Sequence, residues 1–281
     1  MSICQWCSLI VALVVTGVAV AADPAPAPPR VEIVAHRGAS HDAPENTLAS
    51  IRLAWRQNAD AAEFDIYLSR DGKVVVLHDK DTKRVAGVDR PVAEQTLAEL
   101  RQLDVGRWKG QRFAGERIPT LAEMLAAVPP GKRVFIEVKT GAEIVPALCR
   151  DLDAARLKPA QTAVISFNAE VIAAVKRARP DLQAYWIVSL KPAKGKRPPT
   201  AEAVIERAKA ARADGVDLSA SEALDQDFAA KVKAAGLQLH VWTVNDPALA
   251  RRMRALGVAS ITTDRPGWLR ERLQTPADAS R

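Results

Sequence analysis

Residues 237–263 read LQLHVWTVNDPALARRMRALGVASITT. LQLHVWTV (237–244) is an apolar run of strand length, and a helical spacing of apolar residues follows over 246–256. Gly257 closes that helix as a C-terminal signal, and SITT (260–263) is a second short strand. Strand, helix and strand in so short a span form a βαβ unit, which lays its two strands parallel.

The same unit recurs upstream. Further strand candidates are VEIVA 31–35, AEFDIYL 62–68, RVFIEV 133–138, TAVISF 162–167, QAYWIVS 183–189 and GVDLS 215–219, making eight in all. Helical patterns lie between most of them, at about 46–58, 142–156, 168–178, 200–213 and 225–235. Eightfold alternation predicts an α/β fold, a (β/α)8 TIM barrel over residues 31–273. A doubly wound open sheet is the other fold that alternation allows, but HRGAS after the first strand is not the glycine-rich phosphate loop of that class.

Two segments interrupt the rhythm. In EFDIYLSRDGKVVVLHD (63–79), two apolar runs flank Asp71-Gly72, a hairpin turn signal, which predicts an antiparallel arm on the second strand. Centring the turn there places Asp65 opposite about His78 and returns His78 beside Glu63 and Asp65. Residues 80–119 are polar and irregular apart from a short helix over 95–102. An insertion at this end of a barrel is expected to form a wall or lid over the site.

The chain has 281 residues, 48% hydrophobic and 26% charged, enough for a substantial core. Ser8–Ala22 is an apolar run too short for an ordinary membrane span, followed by the proline-rich spacer 23–30. It reads as a signal peptide (1–22) cleaved near Ala21 or Ala22, so the expected location is periplasmic or secreted. The leader lacks Lys and Arg, and an uncleaved membrane anchor or a misassigned start is the alternative. No stable membrane insertion of the mature chain is expected. Residues 274–281 read as a tail.

Of three cysteines, Cys4 and Cys7 fall in the leader, which leaves Cys149 alone in the mature chain as a small buried side chain. The net charge of +7 favours anionic partners. The basic cluster KPAKGKRPP (191–199) carries no stacking aromatics, so a nucleic-acid partner is not expected.

Barrel sites form at the C-terminal ends of strands. His36 and Arg37 end the first strand, Glu63 and Asp65 share a face of the second, and His78 and Asp79 end the hairpin arm. Glu137 and Lys139 end the third strand of the barrel; Trp242 and Asn245 lie towards the end of the seventh, and Asp264 follows the eighth. Carboxylates converging in a barrel mouth repel one another unless a cation compensates them. Their oxygen-only set suits one divalent ion, Mg²⁺ or Ca²⁺, with Glu63, Asp65 and Glu137 as metal ligands. Such an ion beside Arg37 and Lys139 makes an electropositive pocket for a phosphate, with His36 and His78 as the general acid/base pair. His41 is read as a surface loop residue and His240 as barrel interior.

The ordered stretches AHRG, PENT, EFDIYLSRDGKVVVLHD, LDVGRW, IPTLAEML, FIEVK, ISFN, VWTVND and ITTDRP, running from residue 35 to 266, resemble the glycerophosphodiester phosphodiesterase family. That resemblance implies a phospholipase-C-like barrel with an insertion after the HD motif. It also implies hydrolysis of a small-molecule glycerophosphodiester to glycerol 3-phosphate and an alcohol. By it, His36 and His78 are the catalytic pair; Glu63, Asp65 and Glu137 hold the metal; Arg37, Lys139 and Trp242 bind substrate. Glu45 is expected to orient Arg37 or His36, with Asn46 or Thr47 capping the helix. GVASITTDRP departs from the family pattern GVDGIITDYP by losing its Asp and Gly at Ala259 and Ser260. The rival activities are a lysophospholipase D acting on longer lipids, favoured by an open apolar mouth from 80–119, and a non-catalytic binding barrel of the envelope.

Overall fold

The computed structural model describes residues 30–192 and 197–274. The leader, spacer residues 23–29, part of the basic loop and residues 275–281 lie outside the described residues. Nine strands form one sheet: β1 Glu32–Ala35, β2 Ala61–Leu68, β3 Val74–Val76, β4 Arg133–Val138, β5 Thr162–Ser166, β6 Gln183–Val188, β7 Gly215–Ser219, β8 Gln238–Trp242 and β9 Ser260–Thr263. β1 pairs in parallel with both β2 and β9, so the sheet closes and the doubly wound alternative is excluded. Eight parallel strands make the barrel, in the order β1-β2-β4-β5-β6-β7-β8-β9 and back to β1, while β3 hangs antiparallel on the outer half of β2.

The helices are α1 Leu48–Arg56, the single turns α2 Lys83–Ala86 and α3 Leu97–Leu100, α4 Leu121–Ala126, α5 Val145–Ala154, α6 Ala169–Ala178, α7 Ala201–Ala210, α8 Gln226–Ala234, α9 Pro247–Ala255 and α10 Pro266–Gln274. Expected helices recur within a few residues, whereas α2, α4 and α10 were not expected as helices; α2 and α4 are too short to show a helical period, and α10 is mostly polar, burying only Pro266, Leu269 and Leu273. α4 starts with a full capping box, Thr120 Oγ1 accepting from the Glu123 N–H while Glu123 accepts from the Thr120 N–H. Apart from α2 and α3, the helices bury one stripe each against the outside of the barrel, in a single large apolar cluster. No helix among the described residues is long and apolar enough to cross a membrane. Cys149 is half-buried against the main core rather than fully enclosed.

The barrel lumen is filled, as expected of eight strands. Val34, Ala61, Phe135, Ala163, Ile165, Tyr185 and Ile187 form a second apolar cluster there. His240 joins it, its ring centroid 4.2 Å from Tyr185 and 5.6 Å from Phe135. Its Nδ1 meets the Ser260 hydroxyl at 2.8 Å, so the residue standing where the family pattern has glycine is paired inside the barrel, and β9 forms normally.

The hairpin register differs from the expected one by a residue. Ile66 faces Val76 and Leu68 faces Val74, and the Leu77 N–H donates to the Asp65 carbonyl, so Asp65 lies across from Leu77 rather than His78. The turn spends three residues, Arg70-Asp71-Gly72, between Ser69 and Lys73, with Gly72 supplying the positive φ of 69°. The insertion is more ordered than its polarity suggests. Val75, Leu77, Val85, Val92, Leu100, Val105 and Ile118 close a small apolar cluster of their own beneath it.

Candidate active site

The loop from β1 to α1 bends sharply at the barrel mouth. Arg37, Gly38 and Asn46 all have positive φ, at 53°, 79° and 58°, and such values in non-glycine residues persist only where surroundings enforce them. The Arg37 N–H donates to Glu63 Oε2 at 2.8 Å, and the Arg37 carbonyl accepts from Asn46 N–H and the Ser50 hydroxyl. Thr47 is the helix cap. Asn46 instead faces the site, its amide donating to Asp65 Oδ2 at 2.8 Å while its oxygen accepts from the Asp65 N–H.

Glu63, Asp65 and Glu137 each bring a carboxylate oxygen within 4.8 Å of the others. Lys139 Nζ donates to Glu137 Oε1 at 2.7 Å and lies 3.4 Å from Asp65 Oδ1, and Arg37 Nε lies 3.4 Å from Asp65 Oδ2. Two cations therefore face three acids. Burial, then the neighbouring Asp65 and Glu137, push Glu63 well above the carboxylate range. Burial and Asp65 lift Glu137 to about 7 against the pull of Lys139. Asp65 is also driven up by burial, but Lys139, Arg37, His78 and the Asn46 amide together bring it below its ordinary value.

The donor set fits a hard divalent cation. All of its groups are carboxylates, and Glu63 Oε1 and Asp65 Oδ1 are covered yet have no hydrogen-bond partner. Buried acceptors of that kind cost free energy unless something pairs with them.

Each mouth histidine is held through Nδ1 by a carboxylate. His36 Nδ1 lies 2.6 Å from Asp264 Oδ1, and Asp264 also accepts from the Ser40 hydroxyl and the Asn245 amide. Burial would lift Asp264, but these partners, His36 first, hold it well below the carboxylate range. His78 Nδ1 lies 2.7 Å from Asp79 Oδ1. Burial, with Arg37 and Lys139, lowers the His78 pKa despite Asp65 and Asp79. In both rings Nε2 is left as the nitrogen available to a substrate.

Glu63, Glu137, His36 and His78 line one cavity of about 200 Å³ with Arg37, Lys139, Trp242, Phe167, Ile165, Ile187 and Asp217, and Asp65 adjoins it with a carboxylate oxygen within 4.8 Å of those of the two glutamates. Trp242 donates from its indole to the Asp217 carbonyl at 3.1 Å and packs edge-on against Phe167. The proposed metal, histidine and substrate residues thus meet at one pocket. Glu45 lies just behind, its Oε1 accepting from Arg37 Nη1 at 3.0 Å. His41 pairs with Asp42 on the surface.

The insertion does not wall the pocket as expected: no lining residue comes from 80–119. It acts from behind. Arg84 donates through Nε to Asp79 and through Nη1 and Nη2 to both Glu45 oxygens, and Lys109 Nζ donates to the Ser40 carbonyl. Arg84 had no sequence signal, because its partners lie up to 39 positions away. Asp79 and Asp264 were visible at strand ends, but their roles depend on which ring nitrogen they meet. Asp217 carried the clearest signal overlooked, a lone acid inside the apolar strand GVDLS.

Comparison with known proteins agrees with this geometry. The glycerophosphoryl diester phosphodiesterase family matches residues 36–268. A glycerophosphodiester phosphodiesterase of Bacillus subtilis is 30% identical over 257 residues, covering 85% of each chain. Among solved structures, a phosphodiesterase of Oleispira antarctica in complex with the product sn-glycerol-3-phosphate superposes with a TM-score of 0.79 at 30% identity, over 87% of this chain and 97% of that one. A glycerophosphodiester phosphodiesterase of Agrobacterium tumefaciens superposes with a TM-score of 0.71 at 28% identity, over 85% and 99%. With a closed eight-stranded barrel, a buried acidic triad at its mouth and a match across nearly all the described residues, the chain belongs to the glycerophosphoryl diester phosphodiesterase family, a hydrolase by that membership.

Proposed function

We propose that this protein hydrolyses glycerophosphodiesters to glycerol 3-phosphate and an alcohol, with a divalent cation on Glu63, Asp65 and Glu137 and proton transfer by His36 and His78. The observation that carries this reading is the pair of buried oxygens on Glu63 and Asp65 that no hydrogen bond satisfies, at a cavity lined by two carboxylate-held histidines. When bound, the cation would neutralise charge developing on the phosphoryl oxygens and lower the pKa of a coordinated hydroxyl or water.

The chain's own groups supply the rest. Arg37 is held from behind by Glu45 and Lys139 by Glu137 beside it, and both present positive charge to the phosphate. His78, whose pKa burial lowers, is suited to take the nucleophile's proton at Nε2. His36, with Asp264 behind Nδ1, is suited to deliver a proton to the departing oxygen. The small cavity favours deacylated diesters over lysolipids, since a lipid substrate needs a longer apolar channel.

The test is release of glycerol 3-phosphate from glycerophosphocholine and glycerophosphoethanolamine, and of acylglycerol 3-phosphate from a lysolipid, with chelator and after Mg²⁺ or Ca²⁺ is restored. The reading expects cation-dependent turnover of the first two and little of the third. Turnover of the lysolipid alone would move the assignment to the lipid-directed activity. No turnover of any would favour a binding role.

A further inference from the structure

Asp217 is a buried acid that the proposed chemistry does not use. It lies at the middle of β7, 2% exposed, and lines the same cavity as Glu63 and Glu137. Going round the barrel, β7 is four strands from β2 in either direction, so Asp217 faces Glu63 and Asp65 across the mouth. Its Oδ1 is covered without a partner, and among the described residues no basic side chain pairs with it. On the sheet it sits between Ile187 of β6 and His240 of β8, and Ile165 and Trp242 are apolar members of the same lining. Burial, reinforced by Glu137, lifts its pKa to about 8. A carboxyl with no protein partner at the floor of a cavity is costly to keep unless a ligand completes it.

We infer that Asp217 is a substrate-binding residue that exchanges a hydrogen bond with the terminal primary hydroxyl of the glycerol arm. The inference rests on the hydrolase reading above. Phosphate belongs on the β1, β2 and β4 side, where Arg37 and Lys139 are. Glycerol 3-phosphate is the product common to all substrates of that reading, so its glycerol belongs in the closed part of the cavity. The variable alcohol then points past the exposed ring of Phe167. From phosphorus, the glycerol arm runs across the floor towards β7, and the hydroxyl farthest from phosphorus meets Asp217. A neutral hydroxyl suits this environment better than an ammonium group, because it bonds a carboxyl in either protonation state.

The experiment compares kcat/KM for glycerophosphocholine with that for its analogue lacking the terminal hydroxyl, 2-hydroxypropyl phosphocholine, in full-length protein supplied with divalent cation. The wild type is expected to prefer the parent about 10- to 100-fold, the size of one buried hydrogen bond. Asp217→Leu is expected to lose that preference by dropping to the analogue's rate on the parent, and Asp217→Asn to keep part of it. Where the leucine variant does not fold, Asp217→Ala is read by the same ratio. A leucine or alanine variant with the wild-type preference, a wild type with none, or an asparagine variant behaving like leucine overturns the inference and leaves the hydrolase reading standing. A wild type inactive on every glycerophosphodiester overturns both.

Discussion

Arg84 grips Glu45 with a fork, Nη2 on Oε1 at 2.7 Å and Nη1 on Oε2 at 3.0 Å, while its Nε holds Asp79 at 2.6 Å. One side chain of the insertion thereby steadies both the carboxylate behind Arg37 and the carboxylate behind His78. Arg84→Ala should lower kcat about 10- to 100-fold, as lost outer partners of an active site commonly do. Arg84→Lys should recover little, because an ammonium cannot make the fork. Steady-state kinetics with thermal melting checks this; an alanine variant with unchanged kcat would show that the fork is only a surface contact.

Asp264→Asn should leave the fold intact and lower kcat about 10²- to 10⁴-fold. Asn can offer its amide to His36 Nδ1 and select the wrong tautomer, an effect of that order in other carboxylate-backed histidines. KM for glycerophosphocholine should move much less than kcat. Equal changes in both would assign Asp264 to substrate binding instead.

Gly38→Ala should cost about 1–3 kcal/mol and abolish most turnover. Gly38 has φ of 79°, and a Cβ there would lie 2.5 Å from Ser50 Oγ and 2.6 Å from the Ser50 carbonyl carbon. Relief of that clash must move the loop carrying His36 and Arg37. Chemical denaturation and activity measured together test the coupling; a stable, active variant would contradict it.

These predictions also mark what could be read before folding. The barrel was legible because its strands are apolar runs at regular spacing, and the acidic triad because residues two apart on a strand share a face. The pairing of His36 with Asp264 was not, since it spans 228 positions and exists only once β1 closes on β9. The hairpin slipped by one residue because Asp-Gly signals a turn without stating whether two or three residues make it. Asn46 could not be told from Thr47 as the helix cap because its left-handed backbone, which turns its amide onto Asp65, has no sequence mark of its own.

Asp217 gives a pH prediction. Its pKa rises from an ordinary 3.8 to about 8, through burial and then Glu137. Between those values the folded chain holds a proton that the unfolded chain releases, so this group's contribution to stability falls as pH rises across that window. The loss is at most about 1.4 kcal/mol per pH unit. In chelator, the wild type should therefore lose more stability from pH 5 to pH 8 than Asp217→Asn, which holds no such proton. Parallel pH profiles for the two proteins would refute this.

Removal of divalent cations should lower the melting temperature, and adding Mg²⁺ or Ca²⁺ should raise it in proportion to the logarithm of concentration above saturation of the site. Glu63→Gln and Glu137→Gln should flatten that response and, by relieving repulsion among buried acids, melt no lower than the wild type in chelator. A wild-type melting curve indifferent to either ion would remove the metal from the reading.

The stack of Phe135, Tyr185 and His240 plugs the lumen directly beneath the cavity. The pocket is thus a cul-de-sac, and whatever enters must leave by the same doorway. On the proposed reaction, traffic through it would be single file: the alcohol nearest the mouth would depart first, and glycerol 3-phosphate, lodged behind it, would be last out and the first to compete with the next substrate.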